Sequence, residues 1–221
     1  MPTTPLADLP TLDAATNRLV RSLEALSDAD IARPSLLPGW TVGHVATHVA
    51  RNADGLVRLV TWARTGVVTP MYESMAAREA DIEAGAGRPA AEVLADVVDS
   101  AARVRAAFVE LAGSGASALE RLVVFGAPPP GTAPDTPART IPFRRLQEVE
   151  VHHVDLGLDS YGPQDWPAEF VERQLLFLHG RTGAVDVVGD PAEVLFWRMG
   201  RGTGPSVTRM DGSAVGAAPA W

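Results

Sequence analysis

The chain has no cysteine and no lysine. The first absence excludes disulfides, thiolate nucleophiles and thiolate metal ligands, so any sulfur chemistry must use a thiol brought from outside. The second makes all 19 basic residues arginine. With abundant Ala, Gly, Val and Pro, this bias points to a high-GC coding sequence and says little about fold. Basic charge is also in deficit. A net charge of -8 excludes the basic footprint that nucleic-acid binding needs. No apolar run is long enough to span a membrane. The opening residues MPTTPLADLP lack the charged and apolar regions of a signal peptide. The expectation is a cytoplasmic protein with no nucleic-acid or membrane partner. No internal repeat is present.

What remains is a 221-residue chain with 46% hydrophobic and 21% charged residues, enough for one large core with a small appendage. In residues 11–26, Leu12, Ala15, Leu19, Leu23 and Leu26 recur at helical spacing. Residues 27–39, with Pro34 and Pro38, read as a connection. Thr41 caps a second helix running to about Arg64 and stopped by Gly66; its stripe holds Val45, Val49, Leu56, Leu59 and Val60. A short helix is predicted over 71–84, broken by Gly85 and Gly87. Pro89 opens a long helix to about Leu111, with a core face of Val93, Leu94, Val97, Val98, Ala101, Val104, Phe108 and Leu111. Residues 113–139 are rich in Gly, Pro and Ala and read as a functional loop or lid. The last long helix covers Arg144–Asp155, with Thr140 as cap, Pro142 in the first turn and Gly157 as stop. Four amphipathic segments joined in this way predict a mainly α four-helix bundle over 1–160. Residues 161–221 form a small α+β region: a helix from Pro167 to His179, a strand-like run, and a helix capped at Asp190–Pro191. Trp166, Trp197 and Trp221 are the aromatic anchors of this tail, available to the bundle or to a second copy.

The chemistry lies in polar residues on faces that should be apolar. Glu148 and His152 sit four apart, on one side of their helix. His48 and Asn52 interrupt the stripe of the second helix, with His44 one turn earlier. A single histidine is more often a surface or hydrogen-bonded residue, and His44 and His153 are read that way. A lone Glu-x3-His can be a simple ion pair. Three metal-competent groups on inward faces of two helices are different, because a buried carboxylate or imidazole needs a partner or an ion. His48, Glu148 and His152 are therefore the candidate metal ligands. Two imidazoles and one carboxylate suit zinc with an open fourth position, and nickel or iron(II) would accept the same set.

Two motifs carry a resemblance. Leu37-Pro38-Gly39-Trp40-Thr41 with Gly43-His44-Val45-Ala46-Thr47-His48-Val49-Ala50-Arg51-Asn52-Ala53-Asp54, and later Glu148 through Gly157, resemble the signatures of the mycothiol-dependent maleylpyruvate isomerase family, within the DinB-like superfamily. The resemblance covers about the first three quarters of the chain and implies zinc bound by His48, Glu148 and His152. Tyr72 to Gly85 is similar to a further family segment, which makes Arg78 the active-site arginine. The tail resembles the family's sterol-carrier-like C-terminal domain only from Val187 to Arg201, in shortened form.

The resemblance further implies mycothiol as cofactor and a small carboxylate substrate. Zinc would turn the thiol into a thiolate, which adds to the double bond of maleylpyruvate; rotation and expulsion then give fumarylpyruvate. Arg78 would clamp a substrate carboxylate. Asn52, one turn beyond His48, and Asp155, near His152, are candidates to orient the metal ligands, with a charge at the helix end as the alternative role for Asp155. The alternatives are a mycothiol S-transferase or another enoate-processing enzyme of a biosynthetic pathway. From another class come a non-catalytic metal-binding bundle closed by His44 or His153, and a metal-free bundle with Glu148 and His152 merely paired.

Overall fold

Leu12, Ala15, Leu19 and Leu23 recur at steps of three and four, and all are buried, which makes them the inner face of α1 (Leu9–Glu24). The computed structural model describes residues 5–129 and 131–218; Trp221 lies outside them. A single turn, α2 (Asp28–Ile31), interrupts the expected connection because Ser27 and Asp30 close a capping box. Next come α3 (Val42–Thr65), α4 (Met75–Ala86) and α5 (Ala90–Gly113). The loop-like stretch holds α6 (Ala116–Glu120) and an antiparallel pair, β1 (Leu122–Val123) with β2 (Thr136–Pro137). The last bundle helix is α7 (Ile141–Asp155).

α3 packs on α5 and α7, and α1 packs on the same two, so the four close into a ring. The expected stripe of α3 is buried throughout. On α5, Val93, Val97, Val104, Phe108 and Leu111 are buried, but Val98 is exposed. The buried face is narrower than the hydrophobic pattern: Val98 lines an open cavity beside Leu12, Thr16 and Val20 of α1.

Three local expectations are corrected. α4 starts at Met75, where the Ser74 hydroxyl accepts from the Ala77 amide at 3.0 Å, and it continues through Gly85 to Ala86. Gly85 is there for contact: a Cβ would lie 2.5 Å from the Thr47 methyl. Gly43 is the matching gap on α3, where a Cβ would meet the Ala86 carbonyl oxygen at 2.1 Å. These two glycines let α4 sit directly against α3. At the start of α7, Thr140 makes no side-chain cap; its hydroxyl donates to the Pro137 carbonyl (2.8 Å) in a 3-10 turn that leads into the helix.

The chain divides into two compact units, the first ending at Leu156 and the second beginning at Gly157. The second contains α8 (Ala168–Thr182), β3 (Val187–Val188), α9 (Pro191–Arg198) and β4 (Thr208–Arg209), with β3 and β4 antiparallel. Asp190 caps α9, accepting from the Ala192 amide at 2.9 Å. Trp166, Phe170, Leu178, Leu195 and Trp197 are buried, and the Trp197 indole donates to the Gly216 carbonyl at 2.8 Å.

Candidate metal centre

α3 and α7 are neighbours in the ring, so polar groups on their facing sides meet. His48 Nε2 lies 3.1 Å from Glu148 Oε2 and 3.1 Å from His152 Nε2, and the latter two atoms are 3.4 Å apart. Among the described residues this is the one cluster whose side chains could hold a metal ion. Donors bound at about 2.1 Å around a tetrahedral ion stand roughly 3.4 Å from one another. The trio fits that spacing almost without adjustment. The Glu148 side chain keeps 32% of its surface exposed, while His48 is 5% exposed, so the cluster meets solvent chiefly at Glu148.

The surroundings of the two imidazoles differ. His152 Nδ1 lies 2.8 Å from Oδ2 of Asp155, whose side chain is wholly buried. A carboxylate behind an imidazole fixes its orientation and leaves Nε2 facing the cluster. Burial alone would lower the His152 pKa, but the hydrogen bonds to Asp155 and Glu148 prevail and raise it to about 9. His48 goes the other way, to about 4, because burial and the neighbouring His152 outweigh Glu148. Burial would raise the Glu148 pKa, yet hydrogen bonds from His152 and His48 hold it well below the ordinary carboxylate range. Without an ion, the cluster is therefore a glutamate, a protonated His152 and a neutral His48.

Arg78 comes from α4, which the two close glycine contacts seat on α3. Its Nη2 lies 3.0 Å from His48 Nδ1. A guanidinium only donates, so Nδ1 accepts there and the His48 proton is on Nε2. Ligation through Nε2 requires that proton to leave or move to Nδ1, with Arg78 turning aside.

The remaining candidates have other partners. His44 is the third residue of α3; its Nδ1 accepts from the Thr41 amide at 3.2 Å, and its Nε2 lies 3.0 Å from Glu83. His153 faces α1, with Nε2 2.8 Å from the Ser22 hydroxyl. Asn52 makes no hydrogen bond to His48; its Oδ1 accepts from Arg145 at 2.9 Å. Asp155 does orient a member of the cluster. Three residues were given no role by the sequence alone. Trp40 presents its ring edge-on to His48, with centroids 5.7 Å apart, and walls the cluster. Its place in the Leu-Pro-Gly-Trp run was the available signal. Tyr72 and Arg145 lie behind Arg78 and Asn52, and for a buried arginine no sequence signal existed.

The family model described as mycothiol maleylpyruvate isomerase N-terminal domain matches residues 12–157. Among solved structures, the crystal structure of the mycothiol-dependent maleylpyruvate isomerase aligns with a TM-score of 0.84 at 26% identity, over 99% of this chain and 98% of that one. A histidine-to-alanine mutant of the mycothiol-dependent maleylpyruvate isomerase aligns with a TM-score of 0.83 and the same identity and coverage. Both alignments therefore run through the C-terminal region. No curated protein matches in sequence.

Proposed function

This chain belongs to the mycothiol maleylpyruvate isomerase family, and from that premise we propose that it is a zinc- and mycothiol-dependent enzyme that isomerises maleylpyruvate to fumarylpyruvate in the cytoplasm. The observation that carries the reading is the triangle of His48 Nε2, His152 Nε2 and Glu148 Oε2, with sides of 3.1, 3.1 and 3.4 Å. Three such donors leave one tetrahedral position open, the arrangement of a catalytic rather than a structural site. His44 and His153 are engaged by Thr41, Glu83 and Ser22, which weighs against a closed, non-catalytic site. Bound zinc would acidify a thiol, and mycothiol would supply the sulfur nucleophile for reversible conjugate addition to the enoate.

The protein's own groups do the rest. Asp155 keeps His152 turned so that Nε2 serves as ligand. Glu148 offers a carboxylate that is already ionised. Arg78, released from His48 Nδ1 on ligation, presents a fork suited to a substrate carboxylate. Trp40 covers His48 and limits water on that side. No helix among the described residues is long and apolar enough to cross a membrane.

The direct test supplies maleylpyruvate to purified protein with zinc and mycothiol together, and with each omitted. Isomerisation should require both. Turnover that continues without any thiol would overturn the cofactor assignment, and turnover that survives zinc removal would overturn the metal.

A further inference from the structure

Between α1 and α5 the ring of helices leaves a cavity of about 380 Å³, a size typical of small-molecule sites. Its walls are alkyl: Leu12 and Val20 come from α1, and Val98, Ala101 and Val104 from α5. Asp13 and Arg105 also line it, but Arg105 Nε donates to both Asp13 carboxylate oxygens, at 2.9 and 3.0 Å, so this exposed pair brings no net charge. Among the lining residues only Arg145 comes from another helix, α7. It is 1% exposed and forms no ion pair among the described residues. Its Nη1 donates to the Val49 carbonyl at 2.7 Å and to Asn52 Oδ1 at 2.9 Å, both neutral groups of α3. A guanidinium has five N–H donors in a planar fork. Both Nη1 hydrogens are used on α3, and the donors of Nε and Nη2 meet no acceptor among the described residues.

We propose that the α1–α5 cavity binds a small monocarboxylate with an apolar chain, its carboxylate taken side-on by the Nε–Nη2 edge of Arg145 and its chain laid along the alkyl walls. A buried cation with no counter-charge is costly, and an anion that reaches it relieves that cost. A carboxylate matches the open edge with two parallel N–H···O bonds, each about twice as strong as a neutral one. Inorganic anions fit less well, because alkyl walls offer nothing in place of the water they lose. No residue of the cavity belongs to the metal cluster, so the site is independent of the isomerase reading.

Calorimetric titration of the full chain with acetate, butanoate and hexanoate tests the site, with hexanamide and inorganic phosphate as controls. Hexanoate should bind with a Kd of about 1 mM or tighter, within reach of a ligand this small. Affinity should rise about fourfold per methylene from acetate to hexanoate. Hexanamide, which lacks the charge, should bind about tenfold more weakly or worse. Ala101→Leu fills the cavity without touching Arg145 and should abolish measurable binding. Arg145→Met should do the same, but it also strands Asn52 in the core, so Ala101→Leu decides the matter if that variant does not fold. Hexanoate affinity should be equal with and without zinc, and unchanged in Arg78→Ala. The proposal is overturned if the native protein does not bind hexanoate, if Ala101→Leu binds it fully, or if hexanamide or phosphate binds as tightly. A loss of affinity on zinc removal or in Arg78→Ala also overturns it, because the carboxylate would then sit at the metal centre.

Discussion

Two sides of α7 carry the same kinds of residue and use them differently. Glu148 and His152 face α3 and approach His48. Glu150 and His153, two and one positions further along, face α1, where Arg18 bonds Glu150 at 2.5 Å and Ser22 bonds His153 at 2.8 Å. The α1 side is sealed: Glu150 and His153 are almost wholly buried, and each is met by a protein group. On the α3 side a carboxylate and two imidazoles meet chiefly one another, beside solvent. The same residue types form a structural seam where α1 supplies their partners, and a candidate metal centre where the Nε2 atoms of two imidazoles and a carboxylate oxygen meet one another.

The strongest way to break this comparison is to exchange the sides. His152→Ala removes a ligand and should lower zinc affinity more than a thousandfold, taking bound zinc from about one per chain to near none by elemental analysis. His153→Ala should leave zinc in place. Equal zinc loss in both variants would mean that the metal is held elsewhere. Next in size is Asp155→Asn, which keeps the shape behind His152 but loses the charge. A competitive chelator titration should show zinc affinity down by about 10- to 100-fold.

Proton competition sharpens the same contrast. His152 holds a proton to about pH 9 in the metal-free protein, and ligation must displace it. Apparent zinc affinity should therefore climb about tenfold per pH unit from neutrality and level off above about 9. His48, at about 4, is already neutral at pH 7 and adds no further slope. The stability of the metal-free protein follows by linkage. The raised His152 contributes fully below its unfolded value of about 6.5 and is lost as pH rises through about 9. The lowered His48 contributes above about 6.5 and is lost as pH falls through about 4. Thermal unfolding of zinc-free protein should thus peak between these limits. A monotonic profile would contradict the assigned protonation states.

Much of this was legible in the sequence, and the limits are instructive. The stripes of α1 and α3 and the trio His48, Glu148 and His152 follow from helical spacing, because period alone decides which side chains share a face. Direction across the gap does not follow from period. Asn52 lies one turn beyond His48 and was expected to orient it, but turns to Arg145 because a buried guanidinium needs an acceptor. Arg145 itself reads as a surface residue in any pattern of polarity. Gly85 reads as a helix breaker, yet it sits inside α4 because Thr47 leaves no room for a Cβ. His44, read as a hydrogen-bonded residue, is one: Thr41 recruits it into the cap of α3. For Asn52 and Gly85, a partner distant in sequence overrode a local preference.

The smallest expected effect is the most exacting for the comparison. Ser22→Ala removes the α1 hydroxyl that meets His153 Nε2 and touches nothing on the α3 side. The loss of one neutral hydrogen bond should cost about 1 kcal/mol, or roughly 2–4 °C in Tm for a chain of this size. Zinc affinity should not move. The two sides of α7 share a backbone, so a helix that tilts when its α1 contact loosens would carry Glu148 and His152 with it and weaken the metal site as well. A Tm shift without a zinc shift means that α7 is held rigidly enough for each side to be set by its own partners; a coupled shift means that the α1 seam is part of what places the ligands.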